Sequence, residues 1–178
     1  MRPFPSGFLA ALTVSVLAAG CVPRAVPPPV PAPRPVAPPA PAPRPAPLAS
    51  DWRDWPVTPG DWTYRQDARG SVALFGPRGQ DALMVLRCDP GRRTVYLSVS
   101  GSVAMTATFR TSSLTRAVAL TPTGGEPAYL AAEITPADPL LDAMGFSRGR
   151  FAIVRPGAQP LVIPAWPEIE RVTQDCRA

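Results

Sequence analysis

The proline-rich stretch from Pro23 to Pro47 constrains this chain more than any other feature. Thirteen of its twenty-five residues are proline. Proline fixes φ and lacks an amide hydrogen, so neither a helix nor a sheet ladder can run through the stretch. It reads as a disordered tether that favours the extended polyproline II form, and at ~3.1 Å per residue it spans roughly 80 Å. "PAPRP" occurs at 31–35 and again at 41–45, and Arg24, Arg34 and Arg44 recur at ten-residue intervals with no acidic residue among them. The tract serves either as a spacer, with the arginines keeping it soluble, or as a docking ligand for a proline-recognising domain. It divides the chain into residues 1–20, 21–50 and 51–178.

What precedes the tract says how it is held. Residues 1–7 carry one basic side chain, Arg2, and residues 8–19, "FLAALTVSVLAA", are apolar apart from Thr13 and Ser15. Twelve such residues fall short of the ~20 that a membrane-crossing helix needs. A charged end, a short apolar run and small residues behind it make a secretory signal peptide. Ala18, Ala19, Gly20 and Cys21 resemble a bacterial lipobox, with Leu17 one position further from the cysteine than usual. That resemblance implies lipidation of Cys21, cleavage before it and anchorage by two or more acyl chains, which hold a membrane stably where one does not. The alternative is ordinary cleavage that leaves a free thiol. Val22 stands where inner-membrane-retained lipoproteins typically carry Asp, so the resemblance further implies the outer membrane.

Composition then excludes chemistry. All eighteen basic residues are Arg, and the chain has no Lys, His or Asn. Residues 51–178 hold fourteen Arg against thirteen Asp plus Glu, a net charge of +1. A near-neutral domain lacks the basic face of a nucleic-acid binder. Without His there is no Ser-His-Asp triad and no His-based zinc site. There is no calcium-loop motif and no phosphate-binding glycine loop; "GPRGQD" and "TPTGGEP" read as turns. No catalytic residue, metal site or cofactor is expected.

The remaining 128 residues suffice for one domain with its own core. Short runs bounded by turn residues predict a mainly β fold, a small antiparallel sandwich or barrel. The strands expected are 61–66, 71–75, 82–88, 94–100, 103–110, 116–120, 128–134, 150–155 and 160–163. Val95, Leu97 and Val99 share one face, as do Val103, Met105, Ala107 and Phe109. "ALMVLRC" is continuously apolar and reads as a central strand covered on both faces. "RAVAL" and "AYLAAEI" are expected to pair across "TPTGGEP". One short internal helix starts at Asp138 and Pro139 and stops at Gly145. A C-terminal helix starts at Pro167 and sets Ile169, Val172 and Cys176 on one face. Cys88 and Cys176 are the only cysteines of the domain, and in an exported protein they are expected to form a disulfide.

"RCDPGRRTVYLSV", followed after "DPLLDAMGFSRGRF" by "LVIPAWPEIERVTQDC", resembles small exported lipoproteins of alphaproteobacteria. More distantly it is similar to invasion-associated locus B-like and type VI secretion accessory proteins. Shared features are an early Trp, a strand ending in Cys, an apolar strand leading into a last helix, and a closing Cys. The resemblance implies a small β-rich module. Two further groups suggest contacts with a partner. Trp52 and Trp55 are either an exposed binding pair or a cover over one end of the core. Arg148 and Arg150 are either an anion-binding pair or a solvated turn. The expected protein is a non-enzymatic lipoprotein of the bacterial envelope, facing the periplasm and meeting an envelope protein or cell-wall polymer. The alternatives are a periplasmic enzyme inhibitor and a secretion-system accessory protein.

Overall fold

The computed structural model describes residues 48–178. Cys21, the signal segment and all but the last three residues of the tether lie outside the described residues. Alternating apolar and polar residues build nine antiparallel strands: β1 (Asp61–Asp67), β2 (Gly70–Gly76), β3 (Met84–Asp89), β4 (Thr94–Ser100), β5 (Met105–Arg110), β6 (Thr115–Pro122), β7 (Tyr129–Ile134), β8 (Arg150–Val154) and β9 (Leu161–Pro164). They form one sheet in the order β1-β2-β3-β4-β7-β6-β5-β8-β9. Helix α1 (Pro139–Gly145) joins β7 to β8, and α2 (Pro167–Arg177) ends the chain.

The sheet curls until its outer strands meet. The backbone amide of Thr58, just before β1, donates to Val162 O of β9 at 2.9 Å, and Val162 N–H returns a bond to Thr58 Oγ1 at 2.9 Å. Trp62 of β1 donates its indole N–H to Pro164 O at 2.9 Å. An open sheet edge is a template for unwanted pairing; here three bonds stitch the two edges together. Trp62, Phe75, Met84, Leu97, Phe109 and Phe151 point inward and are buried in one core.

Both helices complete that core. Asp138 caps α1, its carboxylate accepting from Leu140 N–H at 2.8 Å, and Pro139 fills the first turn. Leu140, Leu141 and Met144 are fully buried. Ile169, Val172 and Cys176 of α2 are buried too, as the helical spacing predicts, and α2 packs on the inner side of β1 to β4. Cys176 is bonded to Cys88 of β3, with Cα atoms 5.4 Å apart, closing 88 residues of sequence. The β1–β2 turn fits under this bridge only because of Gly70. At φ +124°, a Cβ there would lie 2.3 Å from Cys88 O.

Three expectations need correction. β3 is not covered on both faces. Met84, Leu86 and Cys88 point inward and buried, while Val85 and Arg87 face outward and are half-buried. β6 and β7 pair only at Thr121–Ala131 and Pro122–Leu130. Most of β6 pairs with β5, and β7 lies along β4. β6 thus changes partner after Leu120 and links one half of the sheet to the other. Val103 has the parity of Met105 but precedes the strand and is 72% exposed.

Candidate functional site

Strands β8 and β9 are apolar on both faces, and this decides where the entrance tryptophans go. Phe151, Ile153, Leu161 and Ile163 fill the core, while Ala152 and Val162 point outward and are also buried. Trp52 and Trp55 cover them. A short 3-10 turn over Trp52–Asp54 brings the two indoles down, capped by the Asp51 carboxylate on Arg53 N–H at 2.9 Å. Trp55 donates its indole N–H to Ala49 O at 2.6 Å, and the Arg53 guanidinium lies 5.1 Å from the Trp52 ring centre. Only 8–9% of either tryptophan is exposed, so they do not present a bare aromatic surface. Ala49, just before the expected boundary, is thus bonded to the entrance segment.

Arg148 and Arg150 do not act as a matched pair. Arg150 donates to Trp55 O at 3.0 Å and so ties the entrance segment to β8. Arg148 extends from an exposed loop, where its backbone N–H donates to Ser112 Oγ at 3.2 Å. That bond belongs to a network of hydroxyls joining two loops, 111–114 between β5 and β6 and 146–149 between α1 and β8. Buried Ser147 accepts from Ser112 N–H at 3.0 Å and donates to Arg150 O. Buried Thr111 accepts from Leu114 N–H at 2.8 Å and donates to Leu114 O at 3.0 Å. Buried polar groups that are all satisfied fix a loop's shape.

Phe146 stands on this fixed platform with 72% of its surface exposed. Leu114, Pro139, Ala143 and Phe146 line a groove of about 360 Å³, with Ser113 and Asp142 at its margin. Sequence reading missed this groove. The available signal was phase: Leu140, Leu141 and Met144 define the buried side of α1, and Phe146 falls off it.

Two further clefts are larger. One of about 500 Å³ lies between Asp61, Trp62 and the β2–β3 turn, and one of about 600 Å³ lies on the outer sheet where β6 parts from β7. The first contains Asp61 and Arg78, paired with each other at 3.1 Å, and the second is lined by Tyr96, Thr121, Thr123 and Glu133. No cluster of three metal-ligating side chains occurs among the described residues. Titration is perturbed elsewhere. Asp67 is lowered to about 2 by its hydrogen bond to Arg87, with Arg69 N–H adding to the effect. Glu170 is raised by burial and then by Asp142. Tyr64 is raised by burial and by its 2.7 Å bond to Asp175. These groups tie α2 to its neighbours or border its docking site. Comparison of the chain with protein-family models, with curated proteins and with solved structures found no match.

Proposed function

We propose that this protein is a lipid-anchored envelope lipoprotein whose β-domain binds a partner rather than catalysing a reaction. The observation that carries the reading is the order of segments. An apolar run ends in Ala18, Ala19, Gly20 and Cys21, and a proline tether leads from it to a domain closed by a disulfide. A bonded cysteine pair suits an oxidising compartment. The lipid on Cys21 supplies the membrane contact, Val22 favours the outer membrane, and the tether sets the distance at which the domain meets an envelope protein or cell-wall polymer. The absence of His, the commonest general acid and base, favours binding over catalysis. Inhibition of an envelope enzyme and service as a secretion accessory are both forms of such binding.

The test is Cys21→Ser. The variant is expected to lose fatty-acid label and move from the membrane fraction to the soluble periplasmic one. Retention of label, or of membrane partition, would sink the reading.

A further inference from the structure

We infer that the seam where β6 parts from β7 takes up an uncharged, extended partner segment, which adds to the sheet as a strand beside Ala117 and Ala119. The inference rests on the reading of the domain as a binding module and names the chemistry of its partner.

The direction of the backbone groups supplies the first argument. Successive residues of a strand send their N–H and C=O groups to opposite edges. At the turn joining β5 to β6, Thr111 N–H donates to Leu114 O at 2.8 Å, so Arg116, Val118 and Leu120 bond to β5. Ala117, Ala119 and Thr121 therefore face the other way. Thr121 meets Ala131 of β7, and Thr123 N–H donates to Tyr129 O at 2.9 Å. There the ladder stops, and among the described residues no strand lies against that edge of Ala117 or Ala119. Both residues are exposed. On the far side, Gly101 N–H donates to Ala128 O at 3.1 Å, which turns Leu130, Ala132 and Ile134 toward β4 and Glu133 toward the seam. The two strands thus offer a missing ladder position from both sides.

Space supplies the second argument. The cleft of about 600 Å³ opens where the ladder stops, with Ala119, Thr121, Ala131 and Ala132 among its walls. That volume lies within the range of binding clefts. Proteins commonly blunt an open edge with charge, proline or a bulge. β6 has neither charge nor proline from Ala117 to Thr121, whereas the outer edges β1 and β9 are stitched together. The pair of Arg116 with Asp138 lies beyond Ala117 and marks the end of the open stretch.

The same surroundings choose the occupant. β7 stands opposite β6, so the seam suits a single strand better than the broad face of a folded domain. Glu133 is the charged side chain of the cleft, and Arg92 lies 3.7 Å from it, so the site presents no net charge. The methyl groups of Ala117, Ala119 and Ala131 leave room for branched side chains on an incoming strand. Backbone hydrogen bonds provide affinity in strand addition of this kind.

The test titrates acetyl-Thr-Val-Thr-Val-Thr-Val-Thr-amide, N-methylated at its three valines, into the full chain in neutral detergent micelles. N-methylation leaves the peptide one bonding edge, which prevents its self-association. Amide NMR is expected to show saturable shifts at 117–119 and at Glu133. Hydrogen exchange at Ala117 and Ala119, fast in the free protein, should slow with peptide, while Val118 and Leu120 are slow throughout. The same peptide N-methylated at every residue should bind at least about tenfold more weakly. Added salt should change little. Ala119→Pro removes a donor that faces the seam and not β5, so it should weaken binding at least about tenfold with the melting temperature nearly kept. The exchange measurement decides the matter on the native sequence even if that variant fails to fold. No shifts, shifts confined to another face, equal binding of the fully methylated peptide, or binding abolished by salt would each overturn the assignment. Slow exchange at Ala117 and Ala119 in the free protein would overturn it too. Release of that protection by deleting residues 27–45 would make the tether the occupant, and release by dilution would make it a second copy. None of these outcomes touches the Cys21 experiment, which reports on anchorage alone.

Discussion

Several single residues carry consequences out of proportion to their size. Gly70 is one. Gly70→Ala places a methyl group against Cys88 O in a backbone region that L-residues avoid, and the rigid strand beneath cannot retreat. A loss of about 2 kcal/mol is expected in urea unfolding. The disulfide next to it is worth about 2–4 kcal/mol on the usual scale for such bridges. Cys88→Ser/Cys176→Ser should lower the unfolding midpoint accordingly, and alkylation of the native protein should find no free thiol at these positions. Two carboxylates act in opposite directions with pH. Asp67 is held below its ordinary value, so its contribution is present above that value and fades as pH falls toward about 2. Glu170 is held above its ordinary value, so the folded state retains its proton longer, and stability falls as pH rises through the raised pKa. Glu170→Gln should therefore raise the unfolding midpoint near neutrality and leave it little changed in acid, where the wild-type side chain is already protonated. Equal midpoint gains at both ends of that range would contradict this account.

At the scale of elements, the strands were legible and much of their arrangement was not. Period-two alternation in "TVYLSVS" reports directly which side chains are buried, because neighbouring residues on a strand face opposite ways. Cys176 was equally legible, since helical spacing with Ile169 and Val172 fixes its side. Pairing partners are another matter. Nothing within "RAVAL" says that it pairs with its preceding neighbour β5, or within "AYLAAEI" that it lies along β4, because alternation tells which face is buried and not which strand stands alongside. Val103 misled because parity persists past the end of a strand. For the tryptophans a signal did exist. "FAIV" and "LVI" are apolar at every position, and a strand with two apolar faces needs a cover on each. Trp52 and Trp55 are that second cover. Trp52→Ala or Trp55→Ala, by uncovering Ala152 and Val162, should cost about 2–4 kcal/mol and redden the remaining tryptophan fluorescence. An unchanged midpoint would mean that the turn holds its place without the indoles. The Phe146 groove escaped notice because it joins loops 111–114 and 146–149, brought together only by folding.

For the whole molecule, the tether and the domain divide the work. A proline-rich stretch is poor in the amide hydrogens that secondary structure needs, so deleting residues 27–45 should leave the melting temperature unchanged while shortening the reach. A shift of several degrees would mean that the stretch packs on the domain. Bacterial fractionation of such a deletion would test reach apart from the proposed anchorage, because the deletion keeps Cys21. The entrance segment, finally, decides how a pull is shared. Any load passing along the tether reaches the domain at Ala49 and Trp55. It does not fall first on β1, which follows in sequence and forms one edge of the sheet. The indoles seated on β8 and β9, the Arg150 bond to Trp55 O and the paired bonds between Thr58 and Val162 take it up instead. The far edge of the sheet is thereby a strain relief for the near one: a tug must strip a small, replaceable fastening before it can begin to unzip the sheet.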